Sequence, residues 1–424
     1  MAVDKQLDFS TALRRFLDAV AEEPLYNVEP VKRRACSRDQ ICFEDARGEA
    51  IERAKRVLLR NGMKLADAVW LACRANQQCI AQALADKFIS SNSTGASLDA
   101  IFVESDIFEN IVHKELFAYC KQHSNELTKC HASWVSRCAP QVPTFEVVSF
   151  KNQRRRNEDF YSVIPELHDM TPDQQCNENP ISFFAVFDGH GGCESACYAA
   201  THLASNLNAL NSSDSNIRES LLEAFRITEE RLLKKCKRQH LRSGCTALTC
   251  LVSSSAIYTA WVGDSLAIIL DANGSVQFLN QPHCLVDEEE RDRVQQEGGT
   301  ILDVQGEERV NGWISVTRSL GDIQLKPPLS AEPGYNMVRR CPHHCLLLLG
   351  TDGFWDGISP KTCHQLVRLF YASGRDKEGE DLCGVLAEHA ISNGGSTDNL
   401  TLIVIYLQDK SSVADLFHSQ DPEL

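Results

Sequence analysis

The apolar pattern of this chain changes period at one place, and that change limits the fold more than any other feature. Up to about residue 140, apolar side chains recur at helical spacing. The stretches "LADAVWLACRANQQCIAQALADKF" and "LDAIFVESDIFENIVHKELFAYCKQ" run without an internal Pro or Gly, and both are expected to be helices. "CAPQVPTF", from Cys138 to Phe145, then interrupts with two prolines and reads as a linker. Beyond it the apolar runs shorten to strand length, with turn residues between them. "TALTCLVSSSAIYTAWVGDSLAIILDANGSVQFL" reads as a meander of strands, and Asn273-Gly274 suits the tight turn of an antiparallel hairpin. Helical stretches fall between the strand groups: "CESACYAATHLASNL", "IRESLLEAFRITEERLLKKCKRQ" and "DEEERDRVQQEG". Antiparallel strands with segregated helices predict an α+β fold, a β-sandwich of two antiparallel sheets flanked by helices and preceded by a helical N-terminal region. The expected divisions are 1–140, 141–409 and a polar, mobile tail over 410–424.

Composition narrows the class. The chain has 424 residues, a formal net charge of -15 and 43% hydrophobic residues. That suffices for a sizeable core. The acidic balance repels nucleic acid and anionic membrane surfaces, so neither is an expected partner. Cysteine is abundant, at 18 residues, but scattered and set inside apolar runs such as "ALTCLV". Such thiols read as reduced core residues of a cytoplasmic or nuclear protein rather than as a disulfide framework. The first residues, "MAVDKQLDFS", lack a basic stretch followed by an apolar one, so no secretory signal is expected. No apolar run reaches the ~18 residues that would suggest a membrane span. "CPHHC", Cys341 to Cys345, has zinc-type ligands. A structural zinc site usually draws on two separated pairs, and with no second half the stretch reads as a polar loop before the strand "LLLLG".

Acids stand at the ends of the strand-like runs. "FFAVFDG" ends on Asp188, "YTAWVGD" on Asp264 and "LLLLGTDG" on Asp352, while "STDNLTLIVIYL" places Asp398 just before its strand. "VTRSLGD" adds Asp322, and "RRRNEDF" puts Glu158 and Asp159 at the start of another run. Singly, each would be a turn or cap residue. Gathered at one rim they would repel, and protons or a cation would have to relieve them. Carboxylates, a backbone carbonyl beside Gly189 and water are hard oxygen donors, which suit Mg²⁺ or Mn²⁺ rather than zinc. A two-metal site is therefore expected. Such a site acidifies a bridging water, clamps phosphoryl oxygens and stabilises in-line displacement at a phosphate ester. The run Arg154 to Arg156 offers a guanidinium for the phosphate, and His190 a proton for the leaving alkoxide. "GHGG" fails as a dinucleotide fingerprint, because Glu194 stands where a third Gly or Ala belongs.

These residues carry a resemblance. "RRRNED", "FFAVFDGHGG", "SGCTA", "AWVGDS", "RVNGWISVTRSLGD", "LLLLGTDGFWD" and "STDNLTLIVI" follow the order of motifs in the metal-dependent serine/threonine protein phosphatases of type 2C. The resemblance spans about residues 145 to 408. It implies that family's sandwich, dependence on Mg²⁺ or Mn²⁺, and phosphoserine or phosphothreonine protein substrates. Carried over by position, Asp188 bridges two metal ions and the Gly189 carbonyl joins the first. Asp352 and Asp398 serve the second, and Glu158 reaches the metals through water. Asp264 and Asp322, with Asp352, match a third and weaker ion site. Arg154 matches the phosphate-binding arginine and His190 the general acid. Two places depart from the family pattern: Leu266 stands where Arg often follows "GDS", and His283-Cys284-Leu285 replaces an "HKP"-like stretch. Both bear on substrate docking or local stability rather than on chemistry. The helical extension is similar to the subgroup of the nematode sex-determination phosphatase and the vertebrate phosphatases that partner a Rac/Cdc42 exchange factor.

The expected function is thus protein dephosphorylation. A catalytically weak scaffold of the same fold, acting through partner binding, is the alternative, and a two-metal phosphoesterase for small molecules is a third reading. All the metal-ligand positions are filled, which favours activity. The N-terminal region is expected to dock regulatory protein partners, since every residue assigned to chemistry follows Lys151. Its other reading is a packed extension that only stabilises the catalytic domain.

Overall fold

The computed structural model describes residues 7–22, 40–91, 101–138, 142–167, 180–210 and 216–418. These described residues form two compact units, one drawn from 1–142 and 164–180 and the other from 143–163 and 181–424. No helix among the described residues is long and apolar enough to cross a membrane.

The first unit is helical, as its periodicity requires. Helices occupy Phe9–Glu22, Ala46–Arg60, Leu65–Ala75, Ala81–Ser91 and Ser105–Cys138. Phe16, Leu58, Leu71, Phe88, Phe108 and Leu116 fill their core. The helix expected from Leu65 continues through a single π turn at Asn76–Ile80. The second expected helix begins later than its apolar pattern suggested. Residues 98–100 lie outside the described residues, and Phe102–Glu104 is a strand paired antiparallel with Gln40–Cys42. The cause is long-range: the pairing partner lies some sixty residues upstream, outside any periodicity window. The helix from Ser105 bends at His123, where φ is -112° and ψ is 15°.

The second unit is the sandwich, whose strands are numbered here in chain order. They are β1 Phe145–Phe150, β2 Phe160–Ile164, β3 Ser182–Phe187, β4 Ala247–Val252, β5 Ala256–Val262, β6 Leu266–Asp271, β7 Val276–Phe278, β8 Gly334–Arg339, β9 His344–Gly350 and β10 Leu400–Tyr406. One sheet has the order β7-β6-β9-β10-β1 and the other β8-β5-β4-β3-β2. β3, β4, β9 and β10 are buried along their whole length, which explains their unbroken apolar runs: both faces are covered. On the outer face of the first sheet, Leu346, Leu348, Leu402 and Val404 meet Val367, Phe370 and Leu386 of helices Pro360–Ala372 and Leu382–Ser392. The alternate residues Leu347, Leu349, Ile403 and Ile405 fall on the opposite face and are equally buried. Helix Glu194–Ala209 covers β3 of the second sheet, and Ile217–Gln239 packs on that helix.

Two expectations need correction. The run from Thr246 to Leu279 is not one meander. β4 and β5 pair antiparallel, but the chain then crosses to the other sheet at Gly263, whose φ of 93° turns it between β5 and β6. The Asn273-Gly274 hairpin does form, joining β6 to β7 antiparallel. Nor is the described part of the expected tail, 410–418, loose; 419–424 lie outside the described residues. Lys410–His418 is a helix, and Val413 and Phe417, one turn apart, are buried in the first sheet's cluster. Each such burial contributes about 1.5–3 kcal/mol, enough to hold a two-turn helix whose other face is polar.

Candidate active site

Loops at the strand ends bring the acids together. Asp188 follows β3, Asp264 follows β5, and Asp352 follows β9 and opens the short helix Asp352–Trp355. Asp159 immediately precedes β2, and Asp398 lies just before β10. The backbone is braced for this convergence. Asp188 and Thr246 are doubly tied: Asp188 N–H donates to Thr246 Oγ1 at 3.2 Å, and Thr246 N–H donates to the Asp188 carbonyl at 2.9 Å. Asn399 staples the arginine loop to β10. Its Oδ1 accepts from Glu158 N–H at 2.8 Å, and its Nδ2 donates to the carbonyls of Lys151 and Arg156, each at 2.9 Å. Gly189 permits the closest approach, since a Cβ there would stand 2.3 Å from the Glu158 carbonyl oxygen. Glu158 Oε2 in turn accepts from Gly192 N–H at 3.2 Å.

The electrostatics are those of crowded carboxylates. Burial, then Asp352, Asp159 and Asp264, hold Asp188 well above the usual carboxylate range, and a hydrogen bond links Asp188 to Asp352. Asp352 is raised as well, by burial first and with Asp398 adding to it. Burial pushes Asp264 up to about 7, with Asp352 the next cause, and burial likewise lifts Asp159 to about 7. Asp159 Oδ2 accepts from Thr351 Oγ1 and Thr401 Oγ1, both at 2.9 Å, while its Oδ1 is buried without a partner. Arg154 brings a cationic side chain to this wall: it pairs with Asp398 and remains 59% exposed.

This donor set fits divalent cations. Several carboxylates are forced upward by one another, a buried carboxylate oxygen has no partner, and Gly189 leaves the backbone bare beside Asp188. Hard oxygen donors so placed match Mg²⁺ or Mn²⁺ better than zinc or copper.

His190 sits on a separate piece of the same wall. Gly189–His190, Gly244–Cys245 and Leu320–Gly321 form a three-stranded sheet in which His190 pairs with Gly244 and Gly244 with Gly321. That sheet brings "FDGHGG", "SGCTA" and "RSLGD" together. His190 Nε2 bonds Asp322 Oδ2 at 2.7 Å, and Ser319 Oγ donates to the same oxygen at 2.6 Å. Gly244 cannot be larger, because a Cβ would fall 1.9 Å from Asp322 Oδ2.

Asp322, read from the sequence as a partner of Asp264 and Asp352 at a weak ion site, turns its Oδ2 to His190 and Ser319. The acids acting on Asp264 are Asp352 and, further down, Asp356, which is itself raised by burial and then by Asp352 and Asp398. Sequence reading passed over Asp356, although its spacing was a usable signal: it lies four residues after Asp352, one helical turn on, and its N–H donates to the Asp352 carbonyl at 2.8 Å. Asn399 and Thr246, which brace the loops, had no such signal.

Comparison with known proteins agrees with this architecture. The family model described as Protein phosphatase 2C matches residues 144–400. Protein phosphatase 1E of Mus musculus is 30% identical over 345 residues, covering 80% of this chain and 44% of its own length. Protein phosphatase 1F of Mus musculus is 33% identical, covering 67% of this chain and 63% of its own. Protein phosphatase fem-2 of Caenorhabditis elegans is 32% identical, covering 64% and 61%. The chain spans about half the length of the protein phosphatase 1E relatives, at 44% and 45%. Among solved structures, a C. elegans sex determining protein superposes with a TM-score of 0.73 at 24% identity, covering 96% of this chain and 97% of that one. A serine-threonine phosphatase 2C from Toxoplasma gondii gives 0.53 at 20% identity, over 63% and 97%. With ordered motifs, sandwich and matched residues in agreement, the chain belongs to the protein phosphatase 2C family.

Proposed function

We propose that the sandwich unit hydrolyses phosphoserine and phosphothreonine esters in proteins, using two divalent ions, Mg²⁺ or Mn²⁺. The observation that carries this reading is the convergence of Asp188, Asp352, Asp159 and Asp264 with Asp398 and Arg154 at one wall. Asp188, the Gly189 carbonyl, Asp352 and Asp398 would hold the ions, with Glu158 reaching them through water; Asp264 and Asp356 offer a third, weaker position. When bound, the ions supply an activated water and neutralise charge on the phosphoryl group.

The chain's own residues do the rest. Arg154, exposed beside Asp398, grips two phosphoryl oxygens and orients the ester. His190 donates a proton to the leaving alkoxide from Nδ1, because Nε2 is committed to Asp322. Asp322 holds that ring in place. A serine or threonine alkoxide needs this proton far more than a phenolate does, which favours alkyl phosphoesters as substrates. The helical unit carries none of these groups, and we assign it to docking of regulatory proteins.

The test is turnover of a phosphothreonine peptide by the purified full chain. Activity should require Mg²⁺ or Mn²⁺, vanish on chelation and return on readdition. A folded protein without turnover at any metal concentration would favour the scaffold reading. Full activity after exhaustive chelation would overturn the two-metal reading.

A further inference from the structure

The loop joining β8 to β9 carries a second ligand cluster, away from the carboxylates. β9 spans His344 to Gly350, about 20 Å at ~3.3 Å per residue, and Asp352 follows its other end. In the loop, Cys341 Sγ and one ring nitrogen each of His343 and His344 lie within 4.8 Å of one another. The turn that gathers them is closed by His344 N–H donating to the Cys341 carbonyl at 3.0 Å. It is also anchored from outside. Arg340 donates to the Ser253 carbonyl at 2.9 Å and to the Leu407 carbonyl, and Gln408 Nε2 donates to the His344 carbonyl at 3.1 Å. His344 is buried, 7% exposed, and its Nδ1 faces the Cys341 N–H at 3.4 Å, too long to be a strong bond. Cys341 is half-buried and His343 exposed.

We propose that Cys341, His343 and His344 bind one zinc ion, with water as the fourth donor. Reading "CPHHC" as a plain loop rested on the lack of a second ligand pair in the sequence. The turn supplies three donors by itself, and three protein ligands plus water is an accepted tetrahedral arrangement for zinc. The donor chemistry sorts the cations: thiolate and imidazole select zinc, whereas the carboxylate wall selects harder ions. Binding at about 2.3 Å to sulfur and about 2.1 Å to nitrogen would draw the three donors together. The exposed His343 and half-buried Cys341 can make that movement around the fixed His344. β8 belongs to one sheet and β9 to the other, so the ion clips the crossover between the sheets. Zinc here stabilises the sandwich and leaves the catalytic wall untouched.

The experiment uses the full chain with saturating Mg²⁺, which fills oxygen sites and is spectroscopically silent, and Co²⁺ as the probe. One equivalent of Co²⁺ should give a thiolate-to-cobalt charge-transfer band that Zn²⁺ displaces, and Zn²⁺ should raise the thermal midpoint. Cys341→Ser should abolish both effects while unfolding as cooperatively as wild type. His343→Ala should weaken Co²⁺ binding by at least about tenfold, and Asp188→Ala should keep the band. Absence of a thiolate band in the wild-type chain would overturn the proposal. So would a band, or a Zn²⁺-dependent midpoint shift, that survives in Cys341→Ser.

Discussion

Asp322→Asn tests whether this acid acts through His190 or through a metal. The substitution is nearly isosteric. Asp322 has a φ of 46°, a left-handed conformation that Asn tolerates, so backbone strain should not change. What disappears is the charge on a carboxylate that is 4% exposed and 2.7 Å from His190 Nε2. A hydrogen bond to a charged group is worth about 1.5–3 kcal/mol, and each ~1.4 kcal/mol is a factor of ten in rate. If the bond orients the ring that serves the leaving group, kcat/KM on a phosphothreonine peptide should fall about ten- to a hundredfold. On an aryl phosphate, whose leaving group needs no proton, the loss should be about threefold or less. The Mn²⁺ concentration for half-maximal activity should not move. Adding Asp322→Asn to His190→Ala should cost nothing further, because the two act as a unit. Recovery of the lost activity by more Mn²⁺ would return Asp322 to the metal shell. Activity within threefold of wild type on the peptide would refute any role for the pair.

Other outcomes follow from the same wall and from one distant cluster. Asp188→Ala should lower turnover at least about a hundredfold by removing the carboxylate we propose is shared between two ions, and a variant within threefold of wild type by steady-state assay would contradict that. Gly189→Ala should destabilise the sandwich by about 1–3 kcal/mol in urea titration, because the new methyl stands 2.3 Å from the Glu158 carbonyl oxygen; an unchanged midpoint would show that this loop can yield. Asp381 is pushed up to about 7, by burial first and then by Glu146. Its folded value lies above its unfolded one, so its stability contribution is full below the ordinary carboxylate range and is lost as pH rises through about 7. Asp381→Asn keeps the helix cap and should flatten that window. Because Asp381 is only partly covered and solvent screens it, the gain over wild type between pH 4 and 8 should be about 1 kcal/mol, and parallel stability curves would exclude the pairing.

The amino-acid pattern determined what local physics can determine. Periodicity placed the helix Ile217–Gln239 and the Asn273-Gly274 pair placed the hairpin, because helix and turn preferences are settled within a few residues. The acids at strand ends were legible for the same reason, since a strand stops where its apolar run stops. Which acids meet was a different matter. The 132-residue separation of His190 and Asp322 collapses only when Gly189–His190 and Leu320–Gly321 pair on either side of Gly244–Cys245. The sequence grouped Asp322 with the other carboxylates, and only that pairing sets it beside the ring, while Asp356, not singled out in the sequence, is laid beside Asp352 by one helical turn. Phe102–Glu104 likewise read as helix because its partner strand lay far upstream, and Val413 and Phe417 read as tail because the apolar face they cover belongs to other segments. Side-chain periodicity is a property of neighbours in sequence. The direction in which a carboxylate points, and the charge it finds there, belongs to neighbours in space.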